Sequence, residues 1–277
     1  MERIKEAVEI AKAARNRLVG SPPRPPLAER SPPPGIGRAG LGFQSADGKL
    51  THLDPKHLKA MRIVANDVSD PRSRGFEMLR TQVFRKLGNA GLQTLGITSP
   101  TPGCGKSVCA LNLALSIARL PERSITLVDL DMRKPQIAAY LGLPAAPGVD
   151  DVLRGRAPLE DIVIVPDIGR GRFRVLPVYH SNRNAAELIA SRPMAELVKV
   201  LRSQDPGGII LFDLPPVLAV DDVISLLPHL DSVLLVVASG QTTVSDITQS
   251  ERLMGAAEIM GIVLNKSEEA IEAGYTY

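Results

Sequence analysis

Gly103-Cys104-Gly105-Lys106-Ser107 combines two backbone hinges, an ammonium group and a hydroxyl within five positions. Glycines let the chain curl so that successive N–H groups face inward. A lysine supplies a point charge for the β- and γ-phosphates, and a serine hydroxyl can ligate Mg²⁺. These groups predict a nucleoside triphosphate as ligand. It would be held by Gly103, Cys104, Gly105, Lys106, Ser107 and the adjoining Val108, with Lys106 also serving catalysis.

Two further segments end in acid. SITLVDLDMR carries Asp129 and Asp131 two residues apart, so in an extended chain both carboxylates project to one side. IILFDLPP places Asp213 after four apolar residues, and Pro215 and Pro216 turn the chain out of a sheet. Taken singly, an aspartate at a strand end is a turn former or a helix cap. Three of them beside a triphosphate require a cation, which implies Mg²⁺. On this reading Asp129 orients the attacking nucleophile or accepts its proton, while Ser107, Asp131 and Asp213 hold the metal. Phosphoryl transfer has a loose transition state, so alignment and charge neutralisation outweigh a strong base.

These groups need a scaffold, and the hydrophobic pattern supplies one. From Pro71 onward, apolar strand-like runs alternate with helical spacing, the mark of a parallel sheet covered on both faces. Strands are expected at 94–99, 124–129, 161–166, 172–176, 208–213, 232–237 and 260–264. Helices are expected at 73–87, 105–119, 135–141, 150–154, 184–203, 220–227 and 245–256. The expected fold class is therefore α/β, a doubly wound and mostly parallel sheet, with ligands bound beyond the carboxyl ends of the strands.

Upstream the composition changes. Residues 1–20 read as an amphipathic helix with Ile4, Val8, Ala11 and Leu18 near one stripe. Residues 21–50 contain PPRPP and PPP and read as a semi-rigid Pro-rich linker, with the nucleotide-binding domain spanning 51–277. A short helix around 57–66 carries no visible chemistry. The net charge of +3 is too small to indicate nucleic acid, and an aromatic content of 3% without Trp excludes stacking platforms for single strands. Residues 1–40 hold eight basic and four acidic residues, so the arm carries the charge excess, either as a solvated segment or beside an acidic membrane surface. The cysteines are Cys104 and Cys109, both in or beside the loop, which points to a reducing compartment. The longest apolar run, 232–238, is strand-sized, and the N-terminus lacks the apolar core of a secretion signal. A cytoplasmic protein is expected, reaching the inner face of the plasma membrane only through a partner.

The general phosphate-loop pattern wants glycine where Pro100 stands. A more specific pattern, S-x-x-P-G-E-G-K-[ST] followed by N-L-A, is met by Ser99, Pro102, Gly103, Gly105, Lys106 and Ser107, then Asn112, Leu113 and Ala114. With D-x-D-x-R at Asp129, Asp131 and Arg133, and D-x-P-P at Asp213, Pro215 and Pro216, the chain resembles the bacterial tyrosine kinases of capsule and exopolysaccharide production. The likeness covers residues 72–277. It implies a P-loop NTPase fold of the deviant Walker A type, with ATP and Mg²⁺ as cofactors. The implied activity is protein-tyrosine autokinase, acting in trans on C-terminal tyrosines and regulating polysaccharide polymerisation or export.

The resemblance further implies that Asn265, after the last strand, contacts adenine, and that Tyr275 and Tyr277 are the phosphoacceptors. Implied partners are a membrane co-polymerase or chain-length regulator with an activating cytoplasmic tail, a cognate phosphatase, and further copies of the chain in a homo-oligomer such as a ring. Three departures stand out. Cys104 replaces the loop glutamate, either as a neutral swap or as an oxidisable thiol. The tail holds few tyrosines. The family's E-x-x-R-x-x-R helix reads Arg74, Glu77, Arg80 here, which fits either an exchanged interface or a solvated intrahelical pair. The alternatives to a kinase are a positioning ATPase of the ParA/MinD type, from which Thr101 at the signature-lysine position separates it, and a non-catalytic nucleotide-binding scaffold.

Overall fold

The computed structural model describes residues 48–168, 172–255 and 257–267. The expected N-terminal helix, most of the Pro-rich linker and the tail tyrosines Tyr275 and Tyr277 lie outside the described residues. Eight strands are described: β1 Lys49–Thr51, β2 Thr94–Thr98, β3 Ser124–Asp129, β4 Ile164–Pro166, β5 Arg172–Leu176, β6 Ile209–Asp213, β7 Ser232–Ala238 and β8 Ile259–Asn265. They form one sheet in the order β1-β4-β5-β3-β6-β2-β7-β8. Its neighbours are parallel except β4, which meets β5 antiparallel through Ile164 and Val175. The five residues of β2, the five of β6 and the seven of β7 are all buried, as strands covered on both faces must be.

On one face lie α1 Pro55–Ala60, α2 Ser73–Ala90, α3 Lys106–Ala118 and α4 Ile137–Leu141. On the other are α5 Val149–Leu153, α6 Leu159–Ile162, α7 Ala185–Ile189, α8 Arg192–Gln204, α9 Asp222–Leu226 and α10 Val244–Met254. Twelve of the thirteen residues of α3 are buried, so its nearly continuous apolar sequence marks a helix packed on all sides.

Three expectations are corrected. The single helix at 184–203 is two, because the Ser191 hydroxyl caps a new start, accepting from Met194 N, with a proline in the first turn of α8. The strand at 161–166 begins only at Ile164, after α6. The sheet also takes in Lys49 and Leu50, which composition placed in the linker.

The segment between β1 and α2 is a strap across the α3 face. His57 Nε2 donates to the Ala139 carbonyl at 2.9 Å, and Ile63, Val64 and Ala65 are buried. Asn112 ties it down: Oδ1 accepts from Val64 N (2.7 Å) and Ala65 N (2.9 Å), while Nδ2 donates to the carbonyls of Arg62 (3.0 Å) and Val108 (2.9 Å). A buried amide with all four bonds made is stabilising rather than costly.

Candidate functional site

The carboxyl ends of β2, β3 and β6 converge. Asp129 and Asp213 are register partners on adjacent strands, and Ile97 of β2 is paired with Asp213 on the other side. Between β2 and α3 the chain turns through Gly103 (φ 84°) and Gly105 (φ 89°), both in the left-handed region that glycine adopts without penalty. The turn delivers Lys106 and Ser107 to the first turn of α3, whose unpaired amides and dipole favour an anion. Val108 is half-buried in that turn. After Asp213 the chain leaves the sheet but stays fastened to the residues before the loop: Thr98 Oγ1 donates to the Pro215 carbonyl (2.7 Å), and Val217 N to the Ser99 carbonyl (2.9 Å).

Lys106 Nζ stands 2.8 Å from Asp131 Oδ2, 3.3 Å from Asp213 Oδ1 and 3.2 Å from Ser107 Oγ. Burial alone would depress the ammonium, but the charges of Asp213 and Asp131 outweigh it and hold its pKa above the ordinary lysine value. Burial pushes the Asp213 carboxyl up, with Lys106 only partly compensating. Asp129 is raised further, by burial and then by Asp213. Burial also pushes the Cys109 thiol up to about 12, so it stays a neutral packing residue.

Asp129 is tied into the loop that it opens. The strand ends at that residue, and its side chain folds back on the following loop: Oδ1 accepts from Asp131 N (3.1 Å) and Oδ2 from Ile137 N (3.3 Å). It holds the acid loop in shape, and of the pair it is Asp131 that turns an oxygen to Lys106. Asp131 Oδ1 in turn accepts from Lys134 N at 3.0 Å. Arg133 makes a two-pronged bond to the fully buried Asp222 (2.8 and 2.9 Å), fixing the loop to α9. Sequence reasoning missed the anchor Asp222, and it named Asn112 as a motif residue without seeing that it anchors the strap. The signal for Asn112 was a lone amide inside an apolar helix.

Cys104 is 1% exposed, its Sγ donating to the Thr101 carbonyl (3.2 Å) and lying 3.6 Å from Thr242 Oγ1. That position favours the neutral swap over the accessible thiol. Asn265 reaches the loop from the end of β8, where Nδ2 donates to the Cys104 carbonyl at 2.8 Å. Glu77 and Arg80 bond to α3 and its cap rather than to each other. Glu77 meets Arg119 Nη1 (2.9 Å), and Arg80 Nη1 donates to the Ser116 carbonyl (2.7 Å), so both secure the end of α3.

The donor chemistry suits Mg²⁺. Asp213 Oδ2 is buried without a partner, an orphaned acceptor of the kind a cation or its water would satisfy. Among the described residues no three carboxylate, histidine or cysteine side chains form a ready cage. Mg²⁺ in phosphoryl-transfer sites uses one or two carboxylates, waters and the substrate phosphates instead.

No protein-family model matches the chain. It is 33% identical over 220 residues to EpsB of Ralstonia nicotianae, which covers 78% of this chain and 28% of that protein. It is 28% identical over 216 residues to the tyrosine-protein kinase YwqD of Bacillus subtilis, covering 76% of this chain and 89% of that one. Among solved structures, the VpsO kinase domain aligns with a TM-score of 0.62 at 32% identity, covering 76% of this chain and 96% of that domain. The chain thus spans about a quarter of the Ralstonia protein and nearly all of the VpsO kinase domain. Among the described residues no helix is long and apolar enough to cross a membrane.

Proposed function

The chain belongs to the bacterial tyrosine-kinase family, and from that premise we propose that it is an ATP- and Mg²⁺-dependent protein-tyrosine autokinase of exopolysaccharide or capsule export. The observation that carries the reading is the buried constellation of Lys106 with Asp131 and Asp213, at the mouth of a glycine turn and with one carboxylate oxygen left free. A structural ion cluster would close that valence; a site built for a ligand leaves it open.

In this reading the amides of Gly103, Cys104, Gly105, Ser107 and Val108 cradle the β- and γ-phosphates, and Lys106 follows the charge onto the transferred group. Ser107, Asp131 and Asp213 would hold Mg²⁺, which neutralises the triphosphate when bound. Asp129 keeps the acid loop in register. The phenol oxygen of Tyr275 or Tyr277 from a neighbouring copy attacks the γ-phosphorus as the bond to the ADP oxygen breaks. Asp129 would orient the phenol and accept its proton, which departs late because the transition state is loose. Negative charge added to the tail then repels its own dock. The activator is the cytoplasmic tail of a membrane co-polymerase, which recruits the protein to the membrane, and a phosphatase resets it.

The test is incubation of the purified protein with ATP and Mg²⁺, with and without such a tail peptide, followed by mass spectrometry of the C-terminal peptide. Phosphotyrosine at Tyr275 or Tyr277, absent in Lys106→Met, is the expected result. Phosphate release without phosphotyrosine would favour the positioning ATPase, and nucleotide binding without either the scaffold.

A further inference from the structure

Asn265 sits where an adenine contact is expected, and its Nδ2 is turned to the phosphate loop. Its backbone is fixed by the parallel pairing of β8 with β7 (Ala238 opposite Asn265) and by Ser239 N donating to its carbonyl at 2.9 Å. From this anchor Nδ2 donates to the Cys104 carbonyl at 2.8 Å. The same nitrogen lies 2.3 Å from where a Cβ on Gly105 would stand, so the amide fills the space that the missing side chain leaves.

A peptide unit is planar and trans, so its carbonyl and its N–H point in opposite directions. Pinning the Cys104 carbonyl toward Asn265 therefore aims the Gly105 N–H the other way. Gly105 is the residue directly before Lys106, and in a glycine turn its amide is one of the groups that line the anion. Thr242, at the turn after β7, grips the same residue through Cys104 Sγ at 3.6 Å. The ends of β7 and β8 thus hold the loop from behind.

We propose that Asn265 is a positioning residue for the phosphate cradle, fixing the Cys104–Gly105 peptide so that its N–H faces the triphosphate. The inference rests on the reading of residues 99–107 as a phosphate cradle. It predicts a pattern across ligands that a base contact would not produce, because an aimed amide serves any polyphosphate equally.

Calorimetric titration of the full chain with Mg-ATP, Mg-GTP and inorganic tripolyphosphate separates the cases. In Asn265→Asp, nearly the same size but with an acceptor facing the Cys104 carbonyl, ATP and tripolyphosphate should weaken by the same factor, about tenfold, with the ATP-to-GTP ratio unchanged. Asn265→Ala should show the same pattern, and if it unfolds, Asn265→Asp carries the test. Gly105→Ala should also weaken both ligands, and less so in the Asn265→Ala background, where the colliding amide is gone. Loss confined to ATP with a changed base preference, or no loss at all, overturns the inference and leaves the cradle intact. A wild-type chain that binds neither ATP nor tripolyphosphate removes the cradle reading, and this inference with it.

Discussion

The two ends of the sheet both hold carboxylates out of bulk water, and they treat them oppositely. At the amino end, Asp231 Oδ2 accepts from Gln93 N (2.8 Å) and Thr94 N (2.9 Å), and Oδ1 pairs with Arg202. Burial would raise this carboxyl, but those bonds outweigh it and hold it below the usual range. At the carboxyl end, Asp213 and Asp129 are held above the usual range, and Asp213 Oδ2 has no partner. One end uses its charge to fasten strands. The other keeps charge unsatisfied, and a group costly to the empty protein is what a cation and an anion together repay.

The sharpest way to break the comparison is Lys106→Met. Phosphotyrosine formation should fall by about 10²- to 10³-fold or more, since a charge aimed at the transferred group is lost, while circular dichroism shows the fold retained. Retained activity would mean that the carboxyl-end cluster is structural after all. Asn112→Ala tests a satisfied cluster near the site. It strands two buried N–H groups, those of Val64 and Ala65, and should cost about 2–4 kcal/mol in urea unfolding.

Asp231→Asn belongs wholly to the amino end. It should destabilise by about 1–2 kcal/mol at neutral pH, the lower part of the range for charged hydrogen bonds because Arg202 is partly solvated, with turnover per folded molecule unchanged. The smallest effect is the pH dependence, and its sign differs between the ends. Asp231 is depressed on folding, so its contribution is present above the ordinary carboxylate value of 3.8 and is lost as pH falls through its lower folded value. The gap between wild type and Asp231→Asn should close in acid. Asp213 is raised, so in the nucleotide-free protein its contribution is present in acid and fades as pH rises through the folded value. Asp213→Asn should therefore match wild type best in acid and exceed it in stability toward neutral pH, read from unfolding curves across pH.

The central sheet was legible because β2, β6 and β7 are buried on both faces and announce themselves as short apolar runs. Lys106, Ser107, Asp131 and Asp213 were legible because strand ends in such a sheet share one edge. What escaped was whatever depended on a partner far along the chain. β1 is a three-residue edge strand with no run to detect, and the run at 161–166 is shared between α6 and the three residues of β4. The bonds from Asp129 to the acid loop hinged on the chain folding back after β3, so that the same-side rule for extended residues ceased to apply at Asp131. Glu77 and Arg80 looked like a helix-surface motif because spacing alone cannot show that α3 lies against them.

The strap over α3 has a practical side. The strand and helix alternation begins at Pro71, and a minimal version of the domain drawn from it would be cut there. Yet Leu58, Ile63 and Ala65 belong to the interior of the domain. A protein trimmed at Pro71 would carry an open greasy slot along its central helix, with Asn112 at the bottom, and two such slots would seek each other. The trimmed product would be a clumping fragment rather than a smaller enzyme.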